Sequence, residues 1–166
     1  NIDNYFVVFN ADTFFSENIF STLNKVFIRK QNAILAKRKG NRIDSGAFKV
    51  NKNSLIEKFV EKNNFISDLE SIGIYALKNE SIKNIKHLIT SESNSFEFDV
   101  FPNLIKNRNL YGYEALKFNH DYGTKERLIE SKNLISQYQI KWLFLDRDNT
   151  LNYDLNSYTH KISDLK

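Results

Sequence analysis

Short unbroken apolar runs, each closed by a polar or acidic turn, constrain this chain more than any other feature. Tyr5-Phe6-Val7-Val8-Phe9 is one, and it stops at Asn10-Ala11-Asp12-Thr13. Ala33-Ile34-Leu35-Ala36 is a second, and Trp142-Leu143-Phe144-Leu145 is a third, closed by Asp146-Arg147-Asp148-Asn149-Thr150. Such runs lack the alternation of a half-solvated strand, so they read as strands of a sheet buried by helices. Between the first two, Ile19, Phe20, Leu23, Val26 and Phe27 recur at helical spacing. Ser16 is placed to cap that helix, with Glu17 in its first turn. Strand, helix and strand in alternation predict an α/β fold.

The rest of the chain continues the pattern. Residues 47–50 and 54–60 read as strands around Asn51-Lys52-Asn53, a hairpin turn. Residues 38–44 form a polar turn holding Gly40. Residues 71–77 form a further strand, and Gly73 inside it marks close approach of a ligand or another backbone. Short helices are expected over 79–88 and over 95–106, the latter interrupted by Pro102. Residues 110–118 are strand-like. Thr124 caps a helix over 125–138 that turns Leu128, Leu134, Ile135 and Tyr138 inward. A boundary falls at 137–140, where the strand pattern restarts.

Composition narrows the function classes. The 166 residues are 41% hydrophobic and 14% aromatic, enough for a packed core. The net charge of +4 comes from 24 basic and 20 acidic residues interleaved along the chain. Without a block of like charge or an aromatic–basic motif, this is a solvated surface and not a nucleic-acid interface. A nucleotide or sugar-phosphate substrate would account for a few of the cations equally well. No apolar run approaches the roughly 20 residues that span a bilayer, and Asn1-Ile2-Asp3-Asn4 does not resemble a secretory signal. A cytoplasmic location is expected. The absence of cysteine excludes disulfides, thiolate metal sites and cysteine nucleophiles. His87, His120 and His160 are too scattered to suggest a metal set.

Asp146, Asp148 and Thr150 form a D-x-D-x-T pattern directly after a buried strand. A carboxylate at a strand end can attack a phosphoryl group, and a second one two residues on can protonate the leaving oxygen and then activate water. Magnesium held by both would offset their repulsion from phosphate. A turn rich in Asp and Asn is the plainer reading. The segment from Phe144 to Asn152, with Tyr158-Thr159-His160-Lys161-Ile162 after it, resembles the heptose-bisphosphate branch of the haloacid-dehalogenase-type (HAD) phosphatases, with Asn149 where that branch has Gly. The resemblance implies Asp146 as nucleophile, Asp148 as acid and base, Thr150 as a further catalytic residue, and both aspartates as magnesium ligands. It covers only residues 139–166, the first strand and motif loop of such a domain.

Residues 1–138 resemble the C-terminal portion of sugar-phosphate nucleotidylyltransferases. Val8-Phe9-Asn10-Ala11-Asp12-Thr13, Phe59-Val60-Glu61-Lys62-Asn63, Ser71-Ile72-Gly73-Ile74-Tyr75, Phe96-Glu97-Phe98-Asp99-Val100-Phe101-Pro102 and Asp121-Tyr122-Gly123-Thr124-Lys125-Glu126-Arg127-Leu128 are similar to five segments of that family, in its order. Ala11, Asn63 and Ser71 depart from its pattern. The resemblance implies a partial Rossmann-like fold with a mixed sheet. It also implies Asp12 and Asp121 as magnesium ligands, Lys62 as a point charge for the sugar phosphate, and Glu61, Gly73 and Glu97 along the sugar. Plainer readings stand beside these: Asp12 as a turn residue, Asp121 and Glu97 as helix-entry acids, Lys62 as a surface charge.

Together the two resemblances imply a protein that joins a sugar-1-phosphate to a nucleoside triphosphate and removes phosphate from a sugar bisphosphate, in nucleotide-activated heptose synthesis. Neither the nucleotide nor an oligomeric state can be read from the sequence. Both resemblances are incomplete, the first lacking a Gly-rich triphosphate loop and the second its later motifs. The alternative expectation is therefore an inactive fragment that at most binds sugar phosphate.

Overall fold

The computed structural model describes residues 4–15, 17–40, 45–60, 67–88, 95–116 and 119–138. The HAD-like segment, Glu61, Lys62 and the cap expected at Ser16 all lie outside them. By internal packing the chain divides into two compact units, Asn1–Val8 with Glu17–Lys117, and Phe9–Ser16 with Phe118–Lys166.

The first unit is built on a six-stranded mixed sheet. Its strands are β1 (Tyr5–Phe9), β3 (Ala33–Arg38), β4 (Ala47–Val50), β5 (Ile56–Val60), β6 (Leu69–Lys78) and β7 (Tyr111–Glu114), in the order β5-β4-β6-β3-β7 with β1 also on β6. β3 runs antiparallel to β6 and parallel to β7. Its Ala33, Ile34, Leu35 and Ala36 are fully buried, which is why that run shows no alternation. Ile34, Ala36, Phe48, Tyr75, Leu77, Phe101, Leu104 and Leu110 form one core cluster. Gly112 on β7 packs so closely on the Phe48 ring that a side chain there would overlap it.

Local chemistry explains the joints. Asn51 Oδ1 accepts from the Asn53 and Leu55 amides at 2.8 and 3.2 Å, closing the β4–β5 hairpin as an Asx turn. Opposite β3 the register passes from Leu35↔Ile74 to Ala36↔Ser71. Ile72 and Gly73 are the extra residues of a bulge, and Gly73 has φ 73°, a conformation glycine adopts without steric cost. Buried Asn32 joins three segments. Its Nδ2 donates to Ser81 Oγ (2.9 Å) and to the Asn109 carbonyl (3.1 Å), and its Oδ1 accepts from the Lys78 amide (2.7 Å). Glu70, also buried, faces its cross-strand partner Lys37 at 3.0 Å and accepts from Ser45 Oγ.

Several expectations are corrected. β1 is half-buried along its length, because it lies off the main path of the sheet and pairs with β6. Helix α1 (Phe20–Ile28) starts after Ile19, and Asn18 Oδ1 accepts from the Phe20 amide. β5 begins at Ile56, since Ser54 takes φ 63° in the turn. Helix α2 (Asn79–Ile85) ends in a 3₁₀ turn, Lys86–Leu88. Pro102 does not interrupt a helix: a π turn (Phe96–Val100) runs into α3 (Phe101–Lys106), and Pro102 sits in the first turn of α3, where proline is tolerated.

The second unit holds two strands that sequence periodicity did not reveal. β2 (Thr13–Phe15) pairs antiparallel with β8 (Asn119–Asp121), Thr13 opposite Asp121. Phe14 is buried between the rings of Tyr122 (centroids 5.7 Å apart) and His120 (5.6 Å). Helix α4 (Lys125–Tyr138) follows, its Arg127 amide held by Thr124 Oγ1 at 3.3 Å as the sequence predicts. Leu128 is not inward. It is 45% exposed and Ile129 64%, while the small Ser131 is buried, so the packed face of α4 in its first turns is centred on Ser131 and not on Leu128.

Asn32→Ala removes the side-chain partner of the Lys78 amide and of the Asn109 carbonyl, and leaves Ser81 Oγ with only the Asn109 Nδ2 donor. It is expected to lower stability by about 2–4 kcal/mol. Urea denaturation measures this, and a loss below about 0.5 kcal/mol would mean that the buried amide is not a structural joint.

Candidate active site

Two clusters carry chemistry, one in each unit. In the second unit Asp12 stands in the tight turn before β2, and Asp121 ends β8. The ladder places them: Thr13 pairs with Asp121, and the Tyr122 amide donates to the Asp12 carbonyl at 2.9 Å. Gly123 lies close to both carboxylates. A Cβ built there would be 3.4 Å from both Asp12 Oδ2 and Asp121 Oδ1, so the two oxygens are no more than twice that distance apart. Thr13 Oγ1 donates to Asp12 Oδ1 at 3.2 Å. Asp121 Oδ1 accepts from the Gly123 amide (3.2 Å) and from Arg127 Nη1 (2.6 Å).

This donor set suits magnesium. The cation takes hard oxygen ligands and is commonly held by one or two carboxylates, with substrate phosphates and water completing its shell. Asp12 and Asp121 offer two such oxygens beside Gly123, close enough for one cation to meet both. Among the described residues, no group of three or more His, Asp or Glu side chains is placed to enclose a metal without substrate. The plainer reading of Asp121 is met at the same time, since it bonds the Gly123 amide ahead of α4.

Tyr122 adds an electrostatic marker. Burial first, and the negative charge of Asp12 second, push its phenol up from 10.0 to about 12. Its hydroxyl is buried without a hydrogen-bond partner among the described residues.

In the first unit the cluster centres on Glu97. Tyr75 donates its hydroxyl to Glu97 Oε1 at 3.0 Å, and Ser95 donates to Oε2 at 2.7 Å. The Glu97 amide returns to Ser95 Oγ at 3.2 Å, and the Ser95 amide donates to Asp99 Oδ2 at 2.7 Å. This reciprocal bonding is a capping arrangement, so Glu97 also serves as the helix-entry acid. Gly73 lies two residues before Tyr75 on β6, and its bulge supplies a backbone reason for glycine there. Sequence reasoning missed Tyr75, Ser95, Tyr122 and Arg127 as neighbours of the site carboxylates. The Ser-x-Glu spacing and an arginine in the first turn of α4 were the available signals.

A profile of the nucleotidyl transferase family matches residues 1–138. The chain belongs to that family. It is 27% identical over 136 residues to the bifunctional protein GlmU of Methanococcus vannielii, covering 77% of this chain and 32% of that protein. Three solved structures share the fold. A putative glucose-1-phosphate thymidylyltransferase from Bacillus anthracis, in complex with sucrose, has a TM-score of 0.68 at 22% identity over 84% of this chain. An apo UDP-glucose pyrophosphorylase gives 0.63 at 15% over 82%, and HddC from Yersinia pseudotuberculosis 0.59 at 19% over 80%. This nucleotidyl transferase chain spans 56% of each of those structures. The fold matches the mixed α/β sheet expected from the sequence, and no described helix is long and apolar enough to cross a membrane.

Two predictions follow from the Asp12–Asp121 turn. Gly123→Ala places a methyl group in ordinary contact with both carboxylates, so the chain should fold with little change in thermal midpoint. Manganese binding should fall by about tenfold, as when a metal site loses its supporting geometry. Unchanged binding in a folded Gly123→Ala protein would count against a cation between the two oxygens. For Tyr122, the folded state holds the phenolic proton more tightly than the unfolded chain. The stabilisation is complete below about pH 10 and is lost as pH rises through about 12. Wild type should therefore lose more stability than Tyr122→Phe across that window in urea titrations; parallel curves would refute the burial argument.

Proposed function

We propose that the protein carrying this chain is a sugar-1-phosphate nucleotidylyltransferase, in which Asp12 and Asp121 hold magnesium against the phosphates of a nucleoside triphosphate. The observation that carries the reading is the meeting of two sequence-distant carboxylates beside Gly123 in a nucleotidyl transferase chain. A sugar-1-phosphate oxygen attacks the α-phosphorus, and pyrophosphate leaves. Such a transfer needs positioning and charge neutralisation more than it needs protein nucleophiles. The sugar-phosphate substrate class is supported by the names of two structural relatives, a glucose-1-phosphate thymidylyltransferase and a UDP-glucose pyrophosphorylase.

Glu97, with both oxygens held by Tyr75 and Ser95, is a preorganised acceptor for sugar hydroxyls. Glu61, Lys62 and Gly73 complete the sugar side on the family resemblance alone. The second activity, a HAD-type sugar-bisphosphate phosphatase using Asp146, Asp148 and Thr150 with magnesium, rests on the motif after Leu145. The heptose substrate rests on the short Tyr158–Ile162 resemblance.

Separate carboxylate sets make the two activities separable by mutation. In the full-length protein, Asp12→Asn should abolish pyrophosphate release from a nucleoside triphosphate and a sugar-1-phosphate while phosphatase activity persists. Asp146→Asn should do the reverse, because an amide cannot act as the anionic nucleophile. Loss of both activities in either folded variant would overturn the assignment of two independent sites.

A further inference from the structure

We propose that Arg127 is the resident counter-cation of the Asp12–Asp121 pair, competing with the divalent cation for Asp121 and so setting the affinity of the site. The inference rests on the reading of those two carboxylates as the magnesium ligands, and it adds a residue to which nothing above assigns a role.

The geometry is specific. Arg127 Nη1 lies 2.6 Å from Asp121 Oδ1, the oxygen that faces Gly123 along with Asp12 Oδ2. That same oxygen accepts the Gly123 amide at 3.2 Å. A carboxylate oxygen offers two lone pairs. With a backbone amide and a guanidinium both directed at Oδ1, a cation that binds this oxygen competes with those two donors. The amide belongs to the turn and cannot leave without breaking it, whereas the guanidinium stands on a flexible stem.

The arginine is also delivered by a fixed helix turn. Its amide donates to Thr124 Oγ1 at 3.3 Å, its carbonyl accepts from Ser131 Oγ at 2.6 Å, and His120 Nε2 lies 3.1 Å from the same carbonyl. The two side chains of the pair are only 30% and 15% exposed, so water screens the contact incompletely. In the metal-free chain Arg127 thus offsets the repulsion between two nearby carboxylates. When a divalent cation arrives that role passes to the metal, and the first turn of α4 loses a tether. Cation binding is thereby coupled to the start of α4.

The test uses manganese alone, counted by electron paramagnetic resonance, with the chain and its variants. Arg127→Gln should tighten manganese binding by roughly fivefold, in line with the loss of one partly exposed competing ion pair. Arg127→Lys, which keeps the charge, should stay closer to wild type. In the unmutated chain, adding magnesium should speed exchange of the Arg127 guanidinium Nη–H protons with water, read by NMR, and this arm holds even if the variants fold poorly. Weaker or unchanged binding in folded Arg127→Gln, or guanidinium Nη–H protons that magnesium leaves untouched, would overturn the competition. Binding unaffected by Asp12→Asn would instead overturn the carboxylate-pair reading, so the two failures are distinguishable.

Discussion

The backbone ladder between Thr13–Phe15 and Asn119–Asp121 is the constraint on which the proposed chemistry depends. Asp12 and Asp121 are more than a hundred residues apart in sequence, and each is an ordinary turn acid by itself. Three residue pairs in antiparallel register, extended by the Tyr122 amide on the Asp12 carbonyl, bring both beside one glycine. The ladder is short, and two short strands alone are marginal in water. Its support is aromatic: Phe14 is buried with Tyr122 stacked on it and His120 tilted against it. A site made of two like charges is thus carried on a ladder that aromatic rings pack.

The two clusters apply one physical strategy to different targets. Around Asp121 the donors include a backbone amide and a guanidinium, the second a charge-assisted bond. Around Glu97 the donors are two neutral hydroxyls, which orient the carboxylate without cancelling its charge. Glu97 therefore presents two oriented oxygens, which suits the sugar-binding role proposed for it. In both cases the holding groups are themselves fixed, Tyr75 by a ten-residue strand in the core and Arg127 by the first turn of a helix.

Much of the fold was legible because burial on both faces leaves a plain mark. The fully buried run Ala33–Ala36, the Asn51-Lys52-Asn53 hairpin and the Thr124 cap all appear where local chemistry places them. The misses have physical causes as well. β2 and β8 are three residues each, too short to show a period, and their pairing is wholly non-local. Pro102 looked like a helix breaker because its position within the turn depends on where the π turn ends. Leu128 was expected inside on spacing alone, yet spacing cannot tell which apolar residue faces a neighbour when Leu128 and Ile129 are adjacent and Ser131 is the one that packs.

By itself the sequence determined the α/β class, the order of most elements, and the family segments that single out Asp12, Asp121, Gly73 and Glu97. These are local matters: apolar runs, turn residues and short motifs are written in consecutive positions. Only the tertiary structure decided that Asp12 and Asp121 meet beside Gly123, that Tyr75 and Ser95 hold Glu97, and that Arg127 occupies the same Asp121 oxygen that lies near Gly123. Those contacts depend on register and side-chain direction across strands far apart in the chain, and no spacing rule within a single segment encodes them.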